Sequence, residues 1–342
     1  MYMIRHVGRV DYASATTVPL QLPREHFYNR IFLQFTLGDQ VATNTYVMNS
    51  QRLMADRIEI IANGQLVLKS FPQYVKYLHN WHEYGSTAYE VGAGVAASVV
   101  PRRCDILIEF GINTADITCL LPSHLLSSLE LRITWIAVGT ITAAGTLVQN
   151  LMYCDVYALE LINQGQDAKS AIMNKETMMY KYPTAVAFAE FEMPLGNVYR
   201  ELFLTTEGGA VAKYQNETVT EIELVQDGVA YHRKYNYLTV LSENMIESAG
   251  LIDQDVAQPI GAANAMAAAA SIPAGNCLIQ LDYQNYNAGG SSNPVALIRA
   301  LPHLPDSSKM ASWKLRCWVP DVTETVQLSL LMQELILPKQ RA

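Results

Sequence analysis

The 342-residue chain has little charge: 16% of its residues are charged, and the formal net charge is −8. It has no run rich in Lys or Arg, which excludes the basic stripe with which a direct nucleic-acid coat neutralises phosphates. At 50% hydrophobic residues, the chain is also too apolar to be disordered. We therefore expect a large core, extensive contacts between chains and no sequence-specific binding of nucleic acid.

Cysteines are few, and their pattern excludes a disulfide framework. The number is odd, no Cys-x-x-Cys pair occurs, and each residue lies in or beside an apolar run: Cys104, Cys119, Cys154, Cys277 and Cys317. Buried free thiols are therefore expected, which suits synthesis in a reducing compartment. The first ten residues contain Arg5, His6 and Arg9 and no apolar segment typical of a secretory signal.

Two long stretches lack charge, residues 133–154 and 256–281. The first contains Gly, Thr, Gln and Asn, and the second contains two Pro and two Asn. A lipid-exposed helix carries fewer such groups, so both stretches are interpreted as strands and loops rather than membrane spans.

The most informative feature is an internal repeat. Residues 22–33 align without a gap on residues 193–204, so that Pro23, Tyr28 and Phe32 coincide with Pro194, Tyr199 and Phe203. The two segments are 171 positions apart, the difference between Pro194 and Pro23. A repeat of this length indicates that the chain carries one structural unit twice.

Four more matched blocks follow in the same order. They pair residues 57–64 with 221–228, 107–110 with 278–281, 129–133 with 313–317, and 158–162 with 332–336. The second block ends in Asn63-Gly64 in one copy and Asp227-Gly228 in the other, the strongest short signal for a β-hairpin. Many short β-rich runs with turns between them predict a sandwich or barrel in each copy.

Two helices and one connecting segment are predicted between the strands. Apolar residues recur at three- and four-residue spacing in residues 74–81 and 238–245, which predicts a short helix in each copy. Residues 164–182, which link the copies, are predicted to form a short helix or covering segment that ends before Pro183.

The order of these elements resembles the double jelly-roll major capsid proteins of icosahedral viruses with an internal membrane, the tectivirus and adenovirus lineage. The segment Arg57-Ile58-Glu59-Ile60, followed by Asn63-Gly64 and an apolar strand to Phe71, most resembles the corticovirus-type protein. The resemblance covers residues 17–338, apart from loops 261–275 and 285–312. It implies an all-β fold of two tandem eight-stranded jelly-roll barrels with short flanking helices. The predicted limits are an N-terminal arm (1–16), jelly roll 1 (17–163), a linker (164–184), jelly roll 2 (185–338) and a C-terminal tail (339–342).

The resemblance also implies a function. Two similar barrels taken three times give a pseudo-hexagonal homotrimer, which would tile a virion shell with neighbouring capsomers, penton or minor capsid proteins, and a membrane at its inner face. The small residues of loops 91–97 and 261–270 are predicted to lie at contacts between subunits. No catalytic, cofactor-binding or metal-binding residue is assigned, and the chain is not expected to be an enzyme.

Several residues with potential chemistry have a simpler interpretation. His79, His82 and Glu83 have helical spacing for a metal but no visible third ligand, and the seven histidines include no His-x-His pair of the cupin type. Gly92-x-Gly94 lacks the remaining features of a phosphate loop. A Ca²⁺ ion between subunits is left open, because Asp253 and Asp255 supply carboxylates without a deciding spacing.

The remaining candidates are carboxylates and loops. Alternate residues Glu190/Glu192 and Glu221/Glu223 could act as hydrolytic pairs, but a solvated or interface face is the favoured interpretation. The sequon Asn216-Glu217-Thr218 has no accompanying secretory signal. Tyr and Asn at 283 and 285–287 keep open an alternative function, a viral spike or a lectin-like protein that binds carbohydrate or a receptor. A duplicated-barrel enzyme is the third hypothesis, and it would need convergent titratable groups.

Overall fold

The computed structural model describes residues 2–37, 45–46, 54–70, 102–110, 120–138, 142–144, 151–162, 173–208, 219–234, 276–280, 305–320, 322 and 326–336. Most of these residues form β-strands, which are joined by loops and short 3-10 turns. In chain order the strands are β1 (Tyr2–Asp11), β2 (Thr17–Gln21), β3 (Phe27–Leu37), β4 (Thr45–Tyr46), β5 (Ala55–Ala62), β6 (Gln65–Ser70), β7 (Arg102–Glu109), β8 (Leu121–Pro122), β9 (Leu129–Trp135), β10 (Thr142–Ala144), β11 (Met152–Leu161), β12 (Met173–Lys181), β13 (Ala187–Glu192), β14 (Val198–Gly208), β15 (Glu221–Gln226), β16 (Val229–Lys234), β17 (Asn276–Gln280), β18 (Trp313–Val319) and β19 (Val326–Ile336).

The chain divides into two compact units close to Met173. In the first unit, one sheet has the order β1-β11-β3-β7, with β8 paired to β3, and the other has the order β6-β5-β9-β2. Neighbouring strands are antiparallel. The inward side chains of both sheets, such as Phe35 and Leu131, are fully buried and form the core of this unit.

The second unit repeats this arrangement strand for strand. One sheet has the order β12-β19-β14-β17, and the other has the order β16-β15-β18-β13. Its core includes Phe191, Leu224, Leu315 and Leu330. Each of the five sequence blocks lies in equivalent strands of the two units, so the internal duplication predicted from the sequence is confirmed.

Strands β9 and β18 show how the sequence produces this sandwich. In both, buried and half-buried residues alternate over seven positions, as expected for a strand with one face toward a core. Each strand carries one fully buried tryptophan, but Trp135 ends β9 whereas Trp313 begins β18. The same strand position is therefore filled by different side chains in the two cores.

The predicted hairpins connect β5 to β6 and β15 to β16. Asn63 and Gly64 have φ of 52° and 74°, and Asp227 and Gly228 have φ of 50° and 83°. Positive φ at both central residues is the requirement of the tight hairpin turn that the dipeptides predicted.

The structure corrects the sequence prediction at the start of each unit. Residues 173–181, within the linker predicted as a short helix or covering segment, form strand β12. The predicted N-terminal arm contains β1, a full strand of the first unit. Tyr2 and Met173, which begin these strands, are 171 positions apart, the same spacing as Pro23 and Pro194. The predicted helices at 74–81 and 238–245 lie outside the described residues. Among the described residues, no helix is long and apolar enough to cross a membrane.

Two of the five cysteines can be assessed. Cys154 and Cys317 form no disulfide and are buried in the cores of their units, as the sequence predicted. Burial raises the pKa of the Cys317 thiol, so this side chain stays protonated and unreactive.

Candidate functional site

The matched Pro-x4-Tyr segments build the same anchor in both units. The Tyr28 hydroxyl donates a hydrogen bond to the Pro23 carbonyl oxygen at 2.8 Å, and the Tyr199 hydroxyl donates to the Pro194 carbonyl oxygen at 2.5 Å. Both rings are fully buried, and burial raises the pKa of both hydroxyls. These tyrosines therefore remain neutral donors that fix the chain entering β3 and β14.

A buried glutamate lies opposite each anchor tyrosine. In strand register Glu160 pairs with Tyr28, and Glu334 pairs with Tyr199. An Arg5 nitrogen lies 3.7 Å from a Glu160 carboxylate oxygen, whereas Glu334 accepts hydrogen bonds from Thr177 and Asn197. Neither carboxylate is a candidate site residue from the sequence alone, although the fifth matched block places both at the same position.

A short 3-10 turn completes the same end of each unit. The Ser123 hydroxyl donates to the His26 carbonyl oxygen, and the Ser307 hydroxyl donates to the Asn197 carbonyl oxygen at 2.7 Å. The Ser307 oxygen also accepts from the backbone N–H groups of Gly196 and Asn197. These contacts satisfy backbone groups within the barrel end, which indicates a structural role.

Three of the four paired carboxylates, Glu190, Glu192 and Glu223, lie beside cations. On β18, Lys314 contacts Glu190 and Glu192 at 3.4 and 3.2 Å, and Arg316 contacts Glu190 at 2.6 Å and Glu223 at 3.9 Å. Partial burial works to raise the pKa of Glu190, but hydrogen bonds from Arg316 and Lys314 hold it below its usual value. Glu190 is therefore ionised and unsuited to act as a general acid, which favours the predicted charged face over a hydrolytic site.

The equivalent face of the first unit carries a different charge pattern. Its ion pairs join Arg57 to Glu59 and Arg132 to Glu130. In the strand alignment Glu130 corresponds to Lys314 and Arg57 to Glu221, so charge is reversed at two matched positions. The duplicated units thus share a similar core but differ in the charges on their outer faces.

A second polar cluster lies where β1 meets β11. Arg9 donates two hydrogen bonds to the Asp155 carboxylate, at 2.9 and 3.1 Å, and its guanidinium stacks on the Tyr153 ring at 3.8 Å. A His6 ring nitrogen lies 3.6 Å from Asp155. Partial burial raises the pKa of Asp155, but the bonds from Arg9 outweigh it and lower the pKa below its usual value. The cluster ties β1 to its neighbour.

Many of the candidate residues from the sequence lie outside the described residues: His79, His82, Glu83, Gly92, Gly94, Asn216, Glu217, Thr218, Asp253, Asp255, Tyr283, Asn285, Tyr286, Asn287 and the small-residue loops 91–97 and 261–270. Within the part that the structure describes, no group of three or more His, Cys, Asp or Glu side chains could hold a metal ion. The arrangement that can be described is a pair of two-sheet units with the same strand order and differing outer faces.

Comparison with known proteins identifies this architecture. No family model matches the chain, and no curated protein matches it by sequence. Solved structures do match over nearly the full length. The structure of Sulfolobus turreted icosahedral virus is 11% identical, with 98% of this chain and 91% of that chain covered and a TM-score of 0.67. The major capsid protein of bacteriophage PM2 is 8% identical, with 100% of both chains covered and a TM-score of 0.58.

A third structure, a quasi-atomic model of the PBCV-1 virus capsid, is 10% identical, with 98% of this chain and 94% of that chain covered and a TM-score of 0.62. The neighbours are double jelly-roll proteins, and the two units described above share that arrangement. The chain therefore has the predicted all-β double jelly-roll fold.

Proposed function

We propose that this chain is a viral major capsid protein, a structural subunit of an icosahedral shell. The observation that carries the proposal is the presence of two units with the same eight-strand order in one chain. Solved structures named as capsids or as a major capsid protein match that arrangement over nearly the whole chain, which supports the same role here.

The proposed working form is a homotrimer. Three chains would place six similar barrels in a pseudo-hexagonal ring, and such rings tile a shell with one kind of subunit. In the proposed particle the trimers contact neighbouring capsomers, penton or minor capsid proteins and, at the inner face, a lipid membrane. The acidic balance of the chain supports a shell that does not bind the genome directly.

The role proposed is structural rather than catalytic, without a required cofactor. Lys314 and Arg316 hold the Glu190 carboxylate ionised, so that it is unsuited to act as a general acid. This supports a structural role. We propose synthesis in the host cytoplasm and residence in the virion capsid. We propose jelly rolls at residues 17–163 and 185–338, with β1 added to the first and β12 to the second. The spike or lectin alternative gains no support from the solved structures, because their names describe capsids.

The oligomeric mass of the purified chain tests this proposal. Native mass spectrometry should give three times the 38.0 kDa chain mass, and dilution should not release monomers readily, because obligate interfaces on the order of 2,000 Å² or more are expected. A stable monomer with specific glycan affinity would favour the lectin alternative and would count against a capsid subunit.

A further inference from the structure

The turn between β5 and β6 contains the single Asn-Gly dipeptide of the chain, Asn63-Gly64. Asparagine is among the chemically least durable residues, because its side-chain amide can react with the backbone. Both residues are exposed, and a Cβ at Gly64 would meet nothing within 4 Å. Among the described residues, no hydrogen bond uses the Gly64 N–H. The two groups that take part in deamidation are therefore accessible to each other and to water.

Deamidation at this dipeptide proceeds through a ring. The Gly64 nitrogen attacks Cγ of Asn63, so that the N–Cγ bond forms and the Cγ–Nδ2 bond breaks. Ammonia leaves with the proton of the Gly64 N–H. Water then opens the resulting succinimide at either of its two carbonyl carbons. One product is aspartate. The other is isoaspartate, in which the main chain runs through the former side chain and is one methylene longer.

The backbone conformation of the folded turn prevents this attack. Asn63 has φ of 52°, in the left-handed region, where ψ is about +47°. At that ψ the Gly64 nitrogen points away from the Asn63 Cβ across the Cα–C bond, so it lies too far from Cγ to form the ring. The turn must therefore open before deamidation can begin.

A clamp formed by Ser127 and Ser128, in the segment before β9, holds the Asn63 side chain in this state. The Asn63 side-chain oxygen accepts from the Ser127 N–H at 2.6 Å, the Ser127 hydroxyl at 2.9 Å and the Ser128 N–H at 3.2 Å. The Asn63 N–H donates to the Ser128 carbonyl oxygen at 3.0 Å. Because opening the turn breaks these bonds, the clamp opposes the rotation that ring closure requires.

The second unit contains the counterpart of the aspartate product. Asp227 occupies the position of Asn63 with φ of 50°, and its carboxylate accepts from the N–H groups of Ala311 and Ser312 at 2.7 and 2.8 Å. Aspartate is thus compatible with the turn and with its clamp. Isoaspartate is not, because the extra methylene lengthens a two-residue loop whose length sets the register of the hairpin.

We propose that Asn63 is a deamidation site that the folded turn keeps unreactive and that reacts when the β5–β6 hairpin opens. Chains that form aspartate return to the same turn with one more negative charge. Chains that form isoaspartate cannot close the turn again, so the modification makes a transient opening permanent. This chemistry is independent of the capsid function.

Peptide mapping by mass spectrometry tests the proposal on the full-length protein. Samples with and without guanidinium chloride are incubated in the same mildly alkaline buffer. The tryptic peptide 58–69 is then followed for a mass gain of one dalton, and fragment spectra distinguish Asn63 from Gln65. We expect deamidation at Asn63 to be at least about tenfold slower in the folded sample, because only the open fraction of turns reacts. Equal rates in the two samples would overturn the proposal.

Two serine variants test the clamp. Ser127→Ala removes the hydroxyl that donates to Asn63 and should raise the deamidation rate of the folded protein about fivefold, the factor that corresponds to one net hydrogen bond. Ser128→Ala is the matched control and should leave the rate unchanged, since Ser128 contacts Asn63 through backbone groups that alanine retains. Circular dichroism checks that both variants fold.

A folded Ser127→Ala variant that deamidates at the wild-type rate, or equal acceleration in both variants, would show that the clamp does not control the reaction. The comparison of folded and unfolded wild type depends on neither variant, so it decides the proposal even where a variant does not fold.

Discussion

At the residue scale, hydrogen bonds from Tyr28 to Pro23 and from Tyr199 to Pro194 give the Pro-x4-Tyr segments their physical meaning. Tyr28→Phe and Tyr199→Phe should each reduce the free energy of unfolding by about 1 kcal/mol, because each removes one internal hydrogen bond and leaves the ring packed. Denaturant unfolding of the purified variants at equal protein concentration measures both changes.

The control for these variants is Tyr182→Phe, whose side chain is 60% exposed and should tolerate the change. Because the two anchors lie in separate units, the double variant should lose the sum of the single losses. Loss at only one of the two sites would contradict the equivalence of the units.

The hairpin residue Asp227 offers a sharper test, since the first unit has Asn in its place. The Asp227 carboxylate accepts from the backbone N–H groups of Ala311 and Ser312, at 2.7 and 2.8 Å, as the Asn63 side-chain oxygen accepts from Ser127 and Ser128. Asp227→Ala should lower the free energy of unfolding by about 2 kcal/mol, through lost hydrogen bonds and a positive φ that Ala adopts poorly.

The conservative variant Asp227→Asn keeps the accepting oxygen and the tolerance of positive φ. It should stay within about 0.5 kcal/mol of the wild type in the same unfolding measurement. If both variants lost equal stability, the negative charge rather than the turn geometry would be responsible.

The sequence predicted the conformation of the hairpin residues but not the partners of the buried polar side chains. The Asn-Gly and Asp-Gly dipeptides predicted their turns because positive φ restricts the residue type locally. The partners of the Tyr28 hydroxyl and of Glu160 could not be predicted in the same way. Glu160 approaches Arg5 and Tyr28 only after strands far apart in sequence have paired.

At the element scale, Arg9 and Asp155 join β1 to β11. The folded-state pKa of Asp155 is lowered, so the pair stabilises the fold above the unfolded carboxyl pKa of about 3.9, and this contribution is lost as pH falls through the folded pKa. Asp155→Asn should therefore destabilise the protein near pH 7, and its difference from the wild type should shrink on acidification. Unfolding midpoints between neutral and acidic pH measure this difference.

Asp56→Asn is the control for the acid series, because Asp56 is exposed on β5. Its stability should follow the wild type throughout the pH range. A difference between Asp155→Asn and the wild type that stays constant with pH would contradict the role of the ionised pair.

Strand β12 shows why one element was predicted wrongly. Its sequence includes Met173, Met178 and Met179 and few β-branched residues, so local propensity does not favour a strand. Its place beside β19, more than 140 residues later, provides the hydrogen bonds that the local sequence does not specify. The repeat spacing was the available signal, since β12 begins 171 positions after β1.

At the scale of the whole molecule, the duplication explains why the fold could be predicted from a single sequence. Two copies of one unit supply an internal alignment, and the five shared blocks mark five strand pairs in the same order. Similarity to solved double jelly rolls persists at 8–11% identity because strand order and buried alternation tolerate replacement of most side chains. The outer faces lack that constraint, so their different charge patterns could not be predicted from the repeat.

The most direct test of the capsid proposal is electron cryo-microscopy of particles from the native source, with mass spectrometry of their proteins. The account predicts an icosahedral shell in which this chain is the main protein and each hexagonal capsomer contains three copies. Particles whose capsomers contained six copies, or a shell built from another protein with this chain only at its spikes, would contradict it.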